Sequence, residues 1–190
     1  EKVDSLRSEG ATIYVGHKKE NIKGAELIVY SAAVGKNNPE LVEAKELGIP
    51  TVTRAEMLGC LMDSCEKSIA IAGTHGKTTT TSMISLILND AKFDPTLLVG
   101  GNLQEIGGNV RVGGNEYFVT EACEYMDSFL ELKPKIEVIL NIDSDHLDYF
   151  KNIEHIQNTF VEYAKKLPEN GYLIINHDDA GAEKVIKNTR

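Results

Sequence analysis

The sequence predicts an α/β protein: a Rossmann-like parallel sheet followed by a second α/β unit built around a phosphate-binding loop. Three observations carry that expectation. Short apolar runs alternate with stretches of helical spacing along the chain, the grammar of βαβ units. Residues 69–81, IAIAGTHGKTTTT, lead a buried strand through a glycine turn into a helix. Two later strand-like runs deliver acidic and histidine side chains in TEACEYMDSF and NIDSDHLDYF, at the strand ends where open α/β sheets bind ligands.

Taken in order, the charged first ten residues read as helical. Residues 11–15 (ATIYV), 25–30 (AELIVY) and 50–53 read as short strands. Between the last two, NPELVEAKELG at 38–48 reads as a helix. Asn38 is a good N-cap, Pro39 suits the first helical position, Gly48 closes the far end, and Leu41, Ala44 and Leu47 share one stripe. Residues 54–63 read as another helix. SCEK at 64–67 marks a boundary, giving domains 1–66 and 67–190. The second opens with a strand at 68–72, the turn at 73–77, a helix at 77–90 and a strand at 96–99. Gly113-Gly114-Asn115, between NVRV and EYFVTE, predicts a hairpin. Further strands are expected at 116–120, 135–141 and 171–175, and helices at 154–167 and 179–188.

The chain has 190 residues, 42% hydrophobic and 26% charged, as ordinary globular domains do. Twenty basic against twenty-nine acidic residues give a net charge of −9. That opposes non-specific binding to nucleic acid or an anionic membrane and leaves room for one local cationic pocket. Cys60, Cys65 and Cys123 form no CxxC pair, so a reducing cytoplasm is expected rather than a disulfide framework. No apolar run approaches the roughly 18–20 residues of a membrane span.

The glycine turn carries the sharpest chemistry. Glycines let backbone N–H groups approach phosphate oxygens, and a helix start adds partial positive charge and free donors. Lys77 supplies a full charge to a β/γ-phosphate pair and Thr78 offers a hydroxyl to Mg²⁺. The usual GxxxxGK[ST] pattern is modified: Ile71 stands at its first glycine, and the loop is Gly73-Thr74-His75-Gly76-Lys77-Thr78. Glu121 follows a strand. A second strand ends in a loop with Asn141, Asp143, Asp145, His146 and Asp148. Hard oxygen ligands suit a nucleotide-bound Mg²⁺, and a histidine can join a second metal site. Acidic residues at strand ends also serve as helix caps. His155 and His177 lack such context and read as structural.

With these residues in view, the chain resembles the Mur ligases of bacterial cell-wall synthesis. The supporting segments are IYVGH, VYSAAV, NPELVEAKELGIP, RAEML, IAGTHGKTTTTSMI, TEACEYMDSFLELKP, NIDSDHLDYF and INHDD. The resemblance implies a fragment of a three-domain protein: a truncated Rossmann-like UDP-sugar-binding domain at 1–66 and part of a central P-loop ATPase domain at 67–190. It implies that Gly73, Thr74, His75, Gly76, Lys77, Thr78 and Thr79 hold ATP. Thr78 and Glu121 would ligate one Mg²⁺, and Glu121 with His146 a second. Lys77, Glu121 and His146 would form the catalytic set, with Glu124 an acid behind the metal ligands. His17 and Ser31 match UDP-sugar positions.

Several family branches carry a carbamylated lysine about fifteen residues after the histidine. Residues 158–161 offer none, as in the branch that joins L-alanine to UDP-N-acetylmuramate. Where many members read EADES this chain reads Glu121-Ala122-Cys123-Glu124-Tyr125, so Cys123 replaces an acid. The implied activity is ATP-dependent ligation through an acyl phosphate, with the fragment alone inactive. A murein tripeptide recycling ligase, a nucleotide-hydrolysing switch and a non-catalytic UDP-sugar-binding module remain alternatives.

Overall fold

The computed structural model describes residues 2–145 and 149–189. It divides into two units, Glu1–Met57 and Leu58–Arg190. The first holds α1 (Lys2–Ser8), a 3₁₀ turn (Lys19–Ile22), β1 (Ile28–Tyr30), α2 (Pro39–Leu47) and β2 (Thr51–Thr53). β1 and β2 pair in parallel, Ile28 opposite Thr51. α2 keeps the predicted punctuation. The Asn38 side chain accepts the Glu40 N–H at 2.9 Å, and Gly48 closes the helix at φ +70°. The next helix, α3 (Arg54–Asp63), starts on a reciprocal cap. Thr53 Oγ1 accepts the Glu56 N–H at 3.2 Å while Glu56 Oε2 accepts the Thr53 N–H at 2.6 Å. These bonds, the backbone one foremost, hold the Glu56 carboxyl below its ordinary range.

Residues 11–15 are a correction: they join no ladder, and Val15 is 90% exposed. β-branched and aromatic residues favour a strand only where a neighbouring strand and a packed face await them.

The second unit is a six-stranded sheet in the order β5-β4-β6-β3-β7-β8. Its elements are β3 (Lys67–Ala72), α4 (Lys77–Asp90), β4 (Thr96–Leu103), β5 (Gly108–Arg111), β6 (Tyr117–Glu121), β7 (Ile136–Ile139), α5 (Ile153–Ala164), β8 (Tyr172–Ile175) and α6 (Glu183–Asn188). Every pairing is parallel except β4 with β5. Both faces are covered, which explains why SIAIA reads as one continuous apolar run. Ile69 and Ile71 pack with Leu97, Val119 and Val138 beneath Ile84 and Leu88 of α4. Ala70 and Ala72 face Ile156, Phe160 and Tyr163 of α5.

The expected glycine hairpin is also corrected. β5 turns back on β4 instead, and β6 crosses to lie parallel between β4 and β3. Gly113 is fixed by crowding, since a Cβ there would sit 2.3 Å from the Asp94 carbonyl oxygen. The same sequence signal serves a tight crossover.

Gly59 in α3 makes a similar close approach, where a Cβ would meet Glu131 O at 2.1 Å. Alanine gains about 1 kcal/mol of helix propensity, but overpacking against a fixed carbonyl costs more. We expect Gly59→Ala to destabilise the chain by about 2 kcal/mol net. A urea midpoint at or above the wild-type value would contradict this packing.

Candidate functional site

β3 ends at Ala72 and the chain turns through Gly73 at φ +134° and Gly76 at φ +84° into α4. Both values lie where side chains with a Cβ are strained. Among the described residues no side chain caps α4, so its first N–H groups are open to a ligand.

The loop is clamped from the end of β7. Asn141 Oδ1 accepts the His75 N–H at 2.8 Å, and its Nδ2 donates to the His75 carbonyl at 3.0 Å. Thr74, nearly buried, accepts the Asp143 N–H on its hydroxyl at 2.9 Å.

Lys77 folds back over the turn. Its Nζ donates to Gly73 O at 2.5 Å, to Thr74 O at 3.2 Å, and to both Glu124 carboxylate oxygens at 3.0 and 3.2 Å. One turn-width away, Thr78 Oγ1 donates to Glu121 Oε2 at 3.0 Å, and the Gly100 N–H donates to Glu121 Oε1 at 2.5 Å. The start of α4 thus brings a cation and a hydroxyl, the end of β6 and the turn just after it two carboxylates, and β4 a backbone N–H to one loop.

The Mur ligase middle-domain model matches residues 71–190, and a model described as the Mur ligase family catalytic domain matches residues 1–65. The chain belongs to the Mur ligase family. It is 56% identical over 180 residues to the UDP-N-acetylmuramate–L-alanine ligase of Alkaliphilus metalliredigens, covering 95% of this chain and 39% of that protein. The chain therefore spans about 40% of the length of such relatives. The crystal structure of the UDP-N-acetylmuramate–alanine ligase of Thermotoga maritima superposes with a TM-score of 0.83 at 27% identity, covering 97% of this chain and 43% of that one. A ligase from Neisseria meningitides, named for UDP-N-acetylmuramate and a diaminopimelate-containing tripeptide, gives 0.86 at 24% identity, covering 97% and 62%. At that identity the likeness concerns the fold alone.

In this Mur ligase chain, Gly73, Thr74, His75, Gly76, Lys77 and Thr78 form the turn and the start of α4. Thr79 follows on its first helical turn, exposed, and Glu121 reaches Thr78. His146 lies outside the described residues. Among the described residues no group of three His, Cys, Asp or Glu could hold a metal. The Thr78 hydroxyl and Glu121 carboxylate remain a hard-oxygen pair of the kind Mg²⁺ takes alongside phosphate oxygens and water.

His17 and Ser31 belong to the first unit. His17 Nδ1 lies 3.0 Å from Glu40 Oε2, and Asn21 Nδ2 donates to Glu40 Oε1 at 2.6 Å. Burial works to raise the Glu40 pKa, but the bonds from Asn21 and His17 outweigh it and hold the carboxyl low. Ser31 Oγ accepts the Ala33 N–H at 3.3 Å, a local turn.

The sequence reading named Asn141 and Glu124 but not what they bind: the clamp of Asn141 on His75 and the Glu124–Lys77 pair escaped it, as did the Gly100 amide on Glu121. Gly100 left a signal of its own, a glycine pair inside β4. A Cβ there would sit 2.7 Å from Glu121 Oε2. A cavity of about 580 Å³ opens at Lys67, Lys135 and Tyr172, where β3, β7 and β8 begin. A smaller one of about 400 Å³ adjoins His75, Asn141 and Asp143. Converging donors and charges, rather than volume, single out the second end of the sheet.

Proposed function

We propose that the Leu58–Arg190 unit binds the triphosphate of ATP, and that the protein joins L-alanine to UDP-N-acetylmuramate in peptidoglycan precursor synthesis. The observation that carries this reading is the convergence of Lys77, Thr78 and Glu121 on a glycine turn whose helix start is uncapped. The similarity to ligases named for that reaction supports the substrate assignment.

A carboxylate is a poor electrophile toward an amine. Transfer of the γ-phosphoryl group to the muramyl carboxylate makes an acyl phosphate, the amine displaces inorganic phosphate, and an amide forms. Such transfer depends on positioning and charge neutralisation. Lys77 and the loop N–H groups supply donors to the phosphate oxygens, and the Asn141 and Thr74 bonds keep those donors in place beforehand. Thr78 and Glu121, with His146, would hold Mg²⁺, which neutralises phosphate charge when bound. The cavity beside His75 gives room for the nucleotide beyond its phosphates. His17 and Ser31 are assigned to the UDP-sugar, 1–66 to its domain and 67–190 to the ATPase domain. The location proposed is cytoplasmic; no helix among the described residues is long and apolar enough to cross a membrane.

The test is phosphate release by the full-length protein, which should require ATP, UDP-N-acetylmuramate and L-alanine together. Release indifferent to the last two would favour a nucleotide-hydrolysing switch, and preference for a tripeptide would favour the recycling ligase. The 190-residue chain alone should bind nucleotide without turnover. A narrower expectation concerns Glu121→Gln. Affinity for ADP with Mg²⁺ should fall at least about tenfold, while affinity for ADP in EDTA should not fall. Equal losses with and without metal would remove Glu121 from the metal site.

A further inference from the structure

Glu124 is only 2% exposed, yet it carries a carboxylate within 3.0 and 3.2 Å of the Lys77 ammonium. With Gly73 O and Thr74 O, it occupies the ammonium's donors. A phosphate entering this turn meets a lysine that already has an anionic partner.

The backbone around Glu124 fixes that partner in place. Met126 and Asp127 both adopt left-handed conformations, at φ +53° and +55°, which side chains with a Cβ rarely take. Their strain is held by anchors on either side. The Asp127 N–H donates to Glu124 O at 3.0 Å, and the Phe129 N–H to Cys123 O at 3.0 Å. Phe129 is fully buried against Phe160 and Tyr163. Asp127 Oδ2 accepts the Tyr149 hydroxyl at 2.5 Å. That bond, with burial behind it, pushes the Tyr149 phenol up to about 12. These contacts lock the segment and hold Glu124 inward.

The charge balance then has a consequence. Lys77 contributes one positive charge at the loop, and Glu121 and Glu124 contribute two negative ones. A metal-free polyphosphate must break the Lys77–Glu124 pair against a net negative set of side chains. A divalent cation carried with the polyphosphate reverses that sign. We propose that Glu124 is the resident counter-ion of Lys77, exchanged for phosphate on binding, and that it sets the loop's preference for metal-bound over free polyphosphate. This rests on the phosphate-loop reading above and makes Glu124 a positioning and selectivity residue.

The experiment titrates ADP and inorganic tripolyphosphate into the 190-residue chain, with Mg²⁺ and in EDTA. Glu124→Gln, similar in shape and uncharged, should tighten metal-free binding about three- to tenfold and narrow the ratio between the two conditions. In a Lys77→Met background that gain should disappear. A purely structural role predicts weaker binding in both conditions, and unchanged or weaker metal-free binding by a folded Glu124→Gln chain overturns the proposal. If Glu124→Gln does not fold, the wild-type chain decides through its Glu124 carboxyl ¹³C resonance. That signal should move as ADP saturates the loop, and an unmoved signal rejects the exchange. Failure of the wild-type chain to bind ADP at all would instead reject the phosphate-loop reading, and the counter-ion with it.

Discussion

Lys77→Ala should weaken the nucleotide binding proposed for this loop on the order of a hundredfold and, separately, weaken the fold. The ammonium is the one full positive charge hydrogen-bonded to this turn among the described contacts. Charge-assisted hydrogen bonds to phosphate contribute about 1.5–3 kcal/mol, so affinity for ATP or ADP should fall on the order of a hundredfold. The ligation proposed for the full-length protein should fall further, because charge grows at the transferring phosphoryl. The second effect comes from what remains. Removing the ammonium leaves the Glu124 carboxylate buried without its ion-pair partner. A fully buried broken pair costs about 3–5 kcal/mol. The Lys77 side chain is 15% exposed, so water reaches this pair and about 2 kcal/mol is the better expectation. Adding Glu124→Gln to Lys77→Ala should restore the urea midpoint and leave nucleotide affinity on the order of a hundredfold down. Near-native affinity in that stable double variant would end the phosphate-loop assignment.

The parts of the fold that were legible in the sequence are those determined locally. α2 followed from Asn38, Pro39 and Gly48, because caps act on their own helix ends. α4 followed from the strand–glycine–GKT order, because a helix that must start on a tight turn has few alternatives. Pairing was not legible. Residues 11–15 have strand propensity and no ladder, and the Gly113–Gly114 turn crosses over where a hairpin was expected. Both depend on which distant strand is the neighbour, and a residue's own preferences hold no record of that. The site divides in the same way. Thr78 and Glu121 were picked out by ligand chemistry, and the structure brings them within 3.0 Å of each other. The Glu124–Lys77 pair joins residues 47 apart in sequence, and the Asn141 clamp on His75 joins residues 66 apart.

The stability of this chain should decline steeply between pH 5 and pH 8, and Glu137 should be responsible for much of the slope. Glu137 lies on β7 between Ala70 of β3 and Leu173 of β8, on the face that packs against α5. It is fully buried, and among the described residues neither carboxyl oxygen has a hydrogen-bond partner, nor does the buried Tyr163 hydroxyl. Burial therefore pushes the Glu137 carboxyl up to about 8. Burial, then the Glu137 charge, pushes the Tyr163 phenol well above its ordinary value. In the unfolded chain the carboxyl loses its proton near pH 4.3. Between those values the folded chain holds a proton that the unfolded chain has released, so raising the pH favours unfolding. Stability from this group is complete below the unfolded value and disappears as pH climbs through the folded one. The slope is about 1.4 kcal/mol per pH unit, or about 3 kcal/mol from pH 5 to 7.5. Glu137→Gln should flatten that slope. Glu137→Leu should flatten it and also raise stability at pH 7.5, since an apolar side chain leaves no carboxyl to desolvate. Urea midpoints at pH 5, 6, 7 and 8 for the three chains provide the test. Parallel pH profiles for wild type and Glu137→Gln would show that Glu137 does not keep its proton in the folded core.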